Sequence, residues 1–266
     1  MRGKDVTMST KQISYLFFDY DNTVRVNAEI SPATRDAMQT AKERGCKLIL
    51  CTGRARGAKV AEMDVIPWDG MIFGGCDILF NGTLVEEKAV DAEEVAIWVT
   101  YSMKTHRFLA YEGQKKVLFL RFDEHEEDYT QGEIDEQIKN VLEQMQDNPA
   151  TKFSIMGTDF ATAKLPESRM NPIVHASYLE VFGVGCDKGS AILRFCEMIG
   201  ADISECACFG DSMNDYSMFK TCPVSVCMKW SPDELQNAAT YCATTDEGVA
   251  EGIEWILSQN KKESNK

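Results

Sequence analysis

The segment that most constrains the fold is the apolar run Tyr15–Phe18, which leads directly into two carboxylates one residue apart, Asp19 and Asp21. The run is short and rich in aromatic residues, which predicts a buried β-strand rather than a helix. In a strand, residues i and i+2 point to the same side, so Asp19 and Asp21 should lie together at its carboxyl end. Two carboxylates this close repel each other unless they share a cation or one is protonated. The sequence therefore predicts a reactive arrangement at this strand end.

Strands and helices alternate in the next part of the chain. Ser31-Pro32 is typical of a helix N-cap followed by its first helical position, and Gly45 is typical of a helix end. A second apolar run at residues 47–51 leads into Thr52-Gly53-Arg54, and a helix is predicted over residues 55–64. This β-α-β-α order predicts a parallel sheet with right-handed crossovers. The strands of such a sheet all end at one edge, where ligands bind.

The alternation then gives way to a different pattern. Asn81-Gly82 between two apolar runs predicts a tight hairpin. Helices are predicted over residues 92–104 and 133–146, each followed by two strands. This pattern is typical of an α+β layer, in which helices cover one face of an antiparallel sheet. Because alternating order returns afterwards, residues 77–182 are interpreted as a second domain inserted into the first.

Two further polar motifs belong to the alternating part. Lys188 stands at a predicted helix start, and an apolar run at residues 206–209 ends in Gly210-Asp211-Ser212-Met213-Asn214-Asp215. Because parallel strands end at one edge, these residues can converge with Asp19 and Thr52. Carboxylate oxygens suit a hard cation such as Mg²⁺, and a lysine with a hydroxyl can bind phosphoryl oxygens. A carboxylate can also attack phosphorus, and a second can serve as general acid and base.

In chain order, the motifs are Asp-x-Asp-x-Thr, Thr-Gly-Arg, a lysine, and Gly-Asp-x-x-Asn-Asp. This set resembles the four motifs of the haloacid dehalogenase superfamily of phosphohydrolases, and the insert resembles the C2 cap of the Cof-type subgroup. The implied fold class is α/β, with a Rossmann-like parallel sheet core and an inserted α+β cap. The predicted domains are a flexible leader at residues 1–12, a discontinuous catalytic core at residues 13–76 and 183–260, and the cap at residues 77–182.

The resemblance also implies a role for each motif residue. Asp19 would be the nucleophile that becomes phosphorylated, and Asp21 would be the general acid and base. The cofactor would be Mg²⁺, bound by Asp19, the backbone carbonyl of Asp21, and Asp211. Asp215 would support the metal site, either as a direct ligand or from behind the ligands. Four residues would bind the phosphoryl group, the last of them directly or by orienting the lysine: Thr52, the Gly53 amide, Lys188 and Asn214. The implied activity is hydrolysis of a small-molecule phosphate monoester through an aspartyl-phosphate.

Three positions depart from the family pattern. The usual glycine after the second aspartate is Asn22, which tolerates a left-handed conformation. Gly75-Cys76 stands where the family often has Asn-Gly, so a polar substrate contact is expected to be missing. Met228 is followed by Lys229-Trp230-Ser231 instead of Gly-Asn-Ala, so substrate contacts are expected to differ there. None of these changes affects the predicted catalytic residues.

Charge and composition narrow the range of partners. The net charge is −14 with no basic footprint, which excludes nucleic acid as an expected partner. No apolar run approaches the ~18–20 residues of a membrane span. Ten scattered cysteines without a Cys-x-x-Cys pair predict reduced thiols in a cytoplasmic protein. The acidic run at residues 123–128 is interpreted as a solvated loop. The expected partner is a small phosphorylated metabolite. The oligomeric state is not readable from the sequence.

Several alternatives stay open at this point. An EF-hand at residues 19–30 is excluded because Val24 and Ile30 occupy the positions that require glycine and glutamate. A phosphomutase of the same fold would use the same residues. A phosphorylatable signalling module would need neither Asp21 nor the insert. A binding protein with this fold but without catalysis would not need the intact set Asp19, Asp21, Lys188 and Asp211. The substrate is equally open among sugar phosphates, vitamin cofactor phosphates such as pyridoxal phosphate, and nucleotides.

Overall fold

The computed structural model describes residues 12–263, with side chains up to residue 260. The predicted flexible leader lies outside the described residues except for Gln12. The strands, in chain order, are β1 (Tyr15–Phe18), β2 (Lys47–Thr52), β3 (Gly70–Phe73), β4 (Asp77–Phe80), β5 (Thr83–Glu86), β6 (Phe108–Gly113), β7 (Val117–Arg121), β8 (Ala150–Met156), β9 (Asn171–Val174), β10 (Tyr178–Phe182), β11 (Cys206–Gly210), β12 (Val224–Cys227) and β13 (Tyr241–Cys242). The helices are α1 (Pro32–Glu43), α2 (Ala92–Lys104), α3 (Gln131–Met145), α4 (Lys188–Ile199), α5 (Tyr216–Thr221), α6 (Asp233–Ala238) and α7 (Gly248–Glu263).

The chain forms two compact units. The first comprises the described residues up to 53, residues 61–85, and those from 187 onward, and the second comprises residues 54–60 and 86–186. The predicted insert began at residue 77, but β4 and β5 up to Val85 belong to the first unit, whose sheet they extend. Asn81 and Gly82 between these strands both have positive φ, 48° and 77°, as the predicted tight turn requires.

The sheet of the first unit has the strand order β13-β12-β11-β1-β2-β3-β4-β5. Strand β1 lies between β11 and β2, parallel to both, and Phe18 is level with Phe209 on one side and Leu50 on the other. The carboxyl ends of these three strands are therefore adjacent. Among the strand pairings of this sheet whose registers are known, only that of β3 with β4 is antiparallel.

Local sequence explains how β1 and α1 form. Leu16, Phe17 and Phe18 are fully buried, and the Phe17 ring packs edge-on against Phe195 of α4 at 5.7 Å. Burying a side chain of this kind stabilises the fold by about 1.5–3 kcal/mol. Helix α1 begins as predicted, since the Ser31 hydroxyl accepts a hydrogen bond from the Thr34 amide. Residues 19–31 form the connection between β1 and this helix start.

The helix predicted over residues 55–64 is wrong. The segment instead forms two short 3₁₀ turns, Arg56–Ala58 and Ala61–Val65. Gly57 explains the difference, because a Cβ atom there would lie 2.4 Å from the Gly113 carbonyl oxygen and the Lys116 amide. The backbone is pressed against the turn between β6 and β7, so tertiary packing overrides the helical pattern.

The second unit is an antiparallel sheet with the order β7-β6-β8-β10-β9. In its core, α2 and α3 pack against alternate residues of the three central strands. The core includes Trp98 of α2, Tyr111 of β6 and Phe153 of β8. The α+β layer is therefore as predicted. Strand β9 was not predicted, since Pro172 lies within it; proline is tolerated there because β9 is an edge strand. The run 123–128 forms a short 3₁₀ turn followed by irregular backbone, and the side chains are largely exposed.

Two properties concern both units. Within residues 12–263, no helix combines the length and the apolar character needed to cross a membrane. All ten cysteines are free thiols, and nine of them are buried, while Cys242 on the edge strand β13 is exposed.

Candidate active site

Four of the predicted site residues meet where β1, β2 and β11 end. Asp19 follows β1 and its amide donates to the Phe209 carbonyl at 2.9 Å, while Thr52 closes β2 and is 1% exposed. Carboxylate oxygens of Asp19, Asp211 and Asp215 all lie within 4.8 Å of one another. The edge predicted from the parallel order therefore does gather these side chains in the first unit.

Lys188 connects this carboxylate cluster to helix α4. Its ammonium donates to Asp19 Oδ1 at 2.6 Å and to Asp215 Oδ1 at 2.5 Å, and all three side chains are buried. Burial opposes the lysine charge, but the Asp19 and Asp215 carboxylates outweigh it and raise the pKa of Lys188. The lysine is therefore a fixed positive charge within the cluster.

Asp215 is held by the backbone of the loop that it ends. Its Oδ2 accepts hydrogen bonds from the amides of Asp211, at 2.8 Å, and Ser212, at 3.0 Å. With Lys188 on Oδ1, both carboxylate oxygens are engaged by the protein. Gly210 is required beside it, because a Cβ atom there would lie 2.5 Å from the Asp215 carboxyl group. This geometry favours Asp215 as a support for the loop.

The cluster carries more negative charge than its lysine can balance. Burial, with the Asp215 and Asp211 charges, raises the pKa of Asp19 well above its usual range despite Lys188. Burial followed by repulsion from Asp215 raises the pKa of Asp211 to about 7. The Thr23 hydroxyl donates to Asp211 Oδ1 at 3.3 Å. An all-oxygen set with unbalanced negative charge fits a hard divalent cation such as Mg²⁺.

Asp21 is not among the carboxylates that lie within 4.8 Å of one another, although its charge contributes to the raised pKa of Asp211. Strand β1 ends at Phe18, so the expectation that Asp19 and Asp21 share one side of a strand is wrong; both belong to the loop that follows. The Asp21 side chain is 38% exposed, with a guanidinium nitrogen of Arg25 at 3.6 Å. The next residue, Asn22, has φ of 59°, so it adopts the left-handed conformation expected of this departure. Asp21 is thus accessible, while Asp19 is enclosed.

The remaining predicted residues lie on the flanking loops. Gly53 is buried directly after β2, and the Gly74 amide donates to the Thr52 carbonyl at 2.9 Å. Asn214 is half-buried, and its side-chain oxygen accepts from the Ser212 hydroxyl at 3.0 Å. That contact orients the Asn214 amide. Sequence reasoning assigned no role to Ser212, whose position between two acidic motif residues was the only signal.

The other two departures have structural counterparts. Gly75 has φ of 68°, and a Cβ atom there would lie within 2.9 Å of the Asp187 backbone. Arg194 donates to the Gly75 carbonyl at 2.6 Å, which holds this loop against the start of α4. After β12, the Trp230 indole N–H donates to the Asn22 carbonyl at 3.1 Å. Sequence reasoning marked this loop as unusual but did not predict its contact with the turn that carries Asp21.

Known sequences match this chain over most of its length, including the core that carries the site. A sequence model of the haloacid dehalogenase-like hydrolases matches residues 16–255. The chain is similar to a 5-amino-6-(5-phospho-D-ribitylamino)uracil phosphatase of Bacillus subtilis strain 168, at 23% identity over 92% of this chain and 96% of that protein. A second phosphatase with the same description and organism is 24% identical over 90% of this chain and 96% of its own length.

Solved structures show the same architecture. A phosphatase of the HAD superfamily from Bacteroides thetaiotaomicron has a TM-score of 0.77 at 20% identity, over 92% of this chain and 96% of that one. A HAD subclass IIB sugar phosphatase has a TM-score of 0.73 at 17% identity, over 92% and 99% of the two chains. At these identities the likeness is one of fold, and it confirms the predicted fold class.

The sequence match extends from β1 into α7 and so includes both halves of the discontinuous core. The resemblance carried by the four motifs is confirmed by it. The chain belongs to the haloacid dehalogenase-like hydrolases.

Proposed function

We propose that this hydrolase is a Mg²⁺-dependent phosphatase that acts on a small-molecule phosphate monoester through an aspartyl-phosphate on Asp19. The observation that carries the proposal is the buried Asp19 carboxylate, which is ion-paired to Lys188 at 2.6 Å and lies within 4.8 Å of Asp211 and Asp215. A carboxylate held this way is oriented for attack, and the crowded charge around it calls for a cation.

The cation would be held by Asp19, the backbone carbonyl of Asp21, and Asp211, with Asp215 behind them. When bound, Mg²⁺ would offset the excess negative charge and polarise the phosphoryl oxygens. Burial and the neighbouring carboxylates raise the pKa of Asp19 despite Lys188, and a bound cation would oppose this rise. A bound cation would therefore favour the ionised, nucleophilic form of Asp19.

The chain's own groups then divide the chemistry. An Asp19 oxygen forms a bond to phosphorus while the bond to the leaving oxygen breaks, and Asp21 donates a proton to that oxygen. Thr52, Gly53, Lys188 and Asn214 would hold the phosphoryl oxygens. Asp21, now ionised, takes a proton from water as the water attacks phosphorus, which releases inorganic phosphate and restores Asp19. The exposure of Asp21 suits this role, because it must reach both a leaving group and water.

The substrate is proposed as a class. The relatives include phosphatases described for a phosphoribitylamino-uracil, and the solved structures include a sugar phosphatase. We propose a small phosphorylated metabolite and would screen sugar phosphates, vitamin cofactor phosphates and nucleotides. We also propose that the second unit serves as the cap that selects the leaving group. A cytoplasmic location stays a prediction.

Turnover of p-nitrophenyl phosphate tests the proposal. Wild type should release phosphate with Mg²⁺ and lose turnover in excess EDTA. Asp19→Asn should reduce turnover by about 10³-fold or more, because it removes the nucleophile. Asp36→Asn, at an exposed position on α1, is the matched control and should keep wild-type activity. Wild-type turnover in Asp19→Asn, or no Mg²⁺-dependent turnover in wild type, would refute the proposal.

The same assay separates the alternatives. A phosphomutase given a sugar phosphate, which has the further hydroxyl groups that p-nitrophenyl phosphate lacks, would yield an isomerised ester in place of free phosphate. A phosphorylatable module would take up at most one phosphoryl group per chain, and a binding protein would take up none. Multiple turnovers with free phosphate as product distinguish the phosphatase from all three.

A further inference from the structure

The loop after β12 carries an indole that reaches the turn holding Asp21. The Trp230 N–H donates to the Asn22 carbonyl at 3.1 Å, and Trp230 is 37% exposed. Asn22 follows Asp21 directly in the chain. The contact therefore acts on the Asn22–Thr23 peptide, one residue beyond the proposed general acid and base.

The turn itself is a small, internally bonded structure. The Arg25 amide donates to the Tyr20 carbonyl, and the Asn22 amide donates to the Arg25 carbonyl, both at 2.8 Å. At its centre Asn22 has φ of 59°, a left-handed conformation that asparagine adopts more readily than most residues other than glycine. A donor on the Asn22 carbonyl restrains the Asn22–Thr23 peptide and thereby the backbone of the turn that carries Asp21.

The loop that carries Trp230 is held by hydrogen bonds at both ends. The Met228 amide donates to the Gly210 carbonyl at 3.2 Å, directly before Asp211. The Ser231 amide closes a turn onto Met228 at 3.0 Å, and the Ser231 carbonyl accepts from Gln236 at 2.6 Å. The loop thus links the carboxylate cluster on one side to the Asp21 turn on the other. A side chain on such a loop is held in place before any substrate binds.

We propose that Trp230 is a positioning residue for proton transfer by Asp21. This inference rests on the proposed function, since it assumes that Asp21 protonates the leaving oxygen. The indole N–H holds the Asn22 carbonyl, and the turn then directs the Asp21 carboxyl group toward the leaving group. No contact between Trp230 and the substrate is required.

The basicity of the leaving group distinguishes a role in proton transfer from a purely structural one. Loss of a purely structural contact would lower kcat/KM equally for esters with weakly and strongly basic leaving groups. A nitrophenolate departs without a proton, whereas a phenolate, being more basic, depends more on general acid assistance. Phenyl phosphate and p-nitrophenyl phosphate have similar shapes, so binding changes should affect both alike. Trp230→Phe keeps an aromatic ring but removes the donor. We expect its kcat/KM to fall about 3- to 10-fold for phenyl phosphate and less than twofold for p-nitrophenyl phosphate.

Two controls complete the test. Trp255→Phe removes an indole that stacks on Tyr241 at 4.8 Å, and it should affect neither ester. In an Asp21→Asn background, Trp230→Phe should cause no further loss, because the group that it positions is gone. If Trp230→Phe fails to fold, Trp230→His provides a smaller ring with an N–H donor and should keep the wild-type ratio between the two esters.

The outcomes separate this inference from the function on which it rests. An equal fall for both esters, or none for either, would overturn the role of Trp230 while Mg²⁺-dependent phosphate release still stands. An additive loss in the Asp21→Asn background would overturn it as well. Absence of phosphate release in wild type would instead refute the proposed function.

Discussion

Replacing Asp211 by asparagine should stabilise the metal-free protein at pH 8 while removing its response to Mg²⁺. Asp211 is buried beside Asp215 and Asp19, and burial followed by the Asp215 charge raises its pKa to about 7. A carboxyl group whose folded-state pKa is raised destabilises the fold once it must ionise. Asparagine has a similar shape and can still accept the Thr23 hydrogen bond, but it carries no charge.

The magnitude follows from the pKa shift. The rise from the ordinary value of 3.8 to about 7 is roughly three units, and each unit corresponds to about 1.4 kcal/mol, so the upper bound is about 4 kcal/mol. Screening by water and counterions lowers this, and we expect Asp211→Asn to raise the free energy of unfolding by about 1–3 kcal/mol at pH 8. In a protein of this size that is a Tm increase of about 3–10 °C.

The pH dependence has a definite sign. Stability tied to protonated Asp211 is fully present below its unfolded pKa and is lost as pH rises through the folded value near 7. The advantage of Asp211→Asn should therefore be largest above pH 7 and should shrink toward pH 4. Mg²⁺ should oppose the effect in wild type, adding about 2.7 kcal/mol at a concentration 100-fold above its Kd.

Thermal unfolding in EDTA and in Mg²⁺, at pH 5 and pH 8, measures all of these terms. Wild type should gain stability from Mg²⁺ at pH 8, and Asp211→Asn should not. Asp36→Asn controls for the loss of one surface charge. If Asp211→Asn were less stable than wild type in EDTA at pH 8, the cluster would not be strained by charge. An unchanged Mg²⁺ response would show that the cation binds elsewhere.

Two further predictions concern the supports of the cluster. Lys188→Met should abolish turnover and lower the free energy of unfolding by about 3–5 kcal/mol at pH 8 in EDTA, because Asp19 and Asp215 then lose their buried partner. Denaturant unfolding measures this loss, and a variant as stable as wild type would contradict the prediction. Gly210→Ala should place a methyl group against the Asp215 carboxyl and cost about 1–3 kcal/mol, with turnover reduced at least tenfold, whereas Gly132→Ala, where a Cβ meets open space, should leave turnover unchanged.

Residues whose partners lie nearby in the chain were predicted well. Ser31 caps α1 through an amide three residues away, and Asn81-Gly82 turns between adjacent strands. The strand ends were predicted because parallel order dictates a shared edge. These features depend on local chemistry or on topology, and both can be read from the order of residues.

Features that depend on distant partners were not predicted. Gly57 breaks the expected helix because it packs on a turn more than fifty residues later, and no local pattern reveals this. Asp21 lies in a loop because β1 ends at Phe18, which only the pairing of three strands decides. The two backbone amides that hold Asp215, and the indole that reaches Asn22, require coordinates. The sequence predicts the motif residues but not the groups that hold them in place.

The distribution of thiols gives the folded protein a single site for covalent labelling. Nine cysteines are enclosed and Cys242 alone is exposed, so a maleimide dye should attach once to the folded chain, on the edge of the sheet. Reagent uptake would then rise toward ten as the chain opens. Mass spectrometry of labelled chains would count opened molecules directly and identify which strands open first. The wild-type sequence thus supports single-site fluorescence work without the removal of any cysteine.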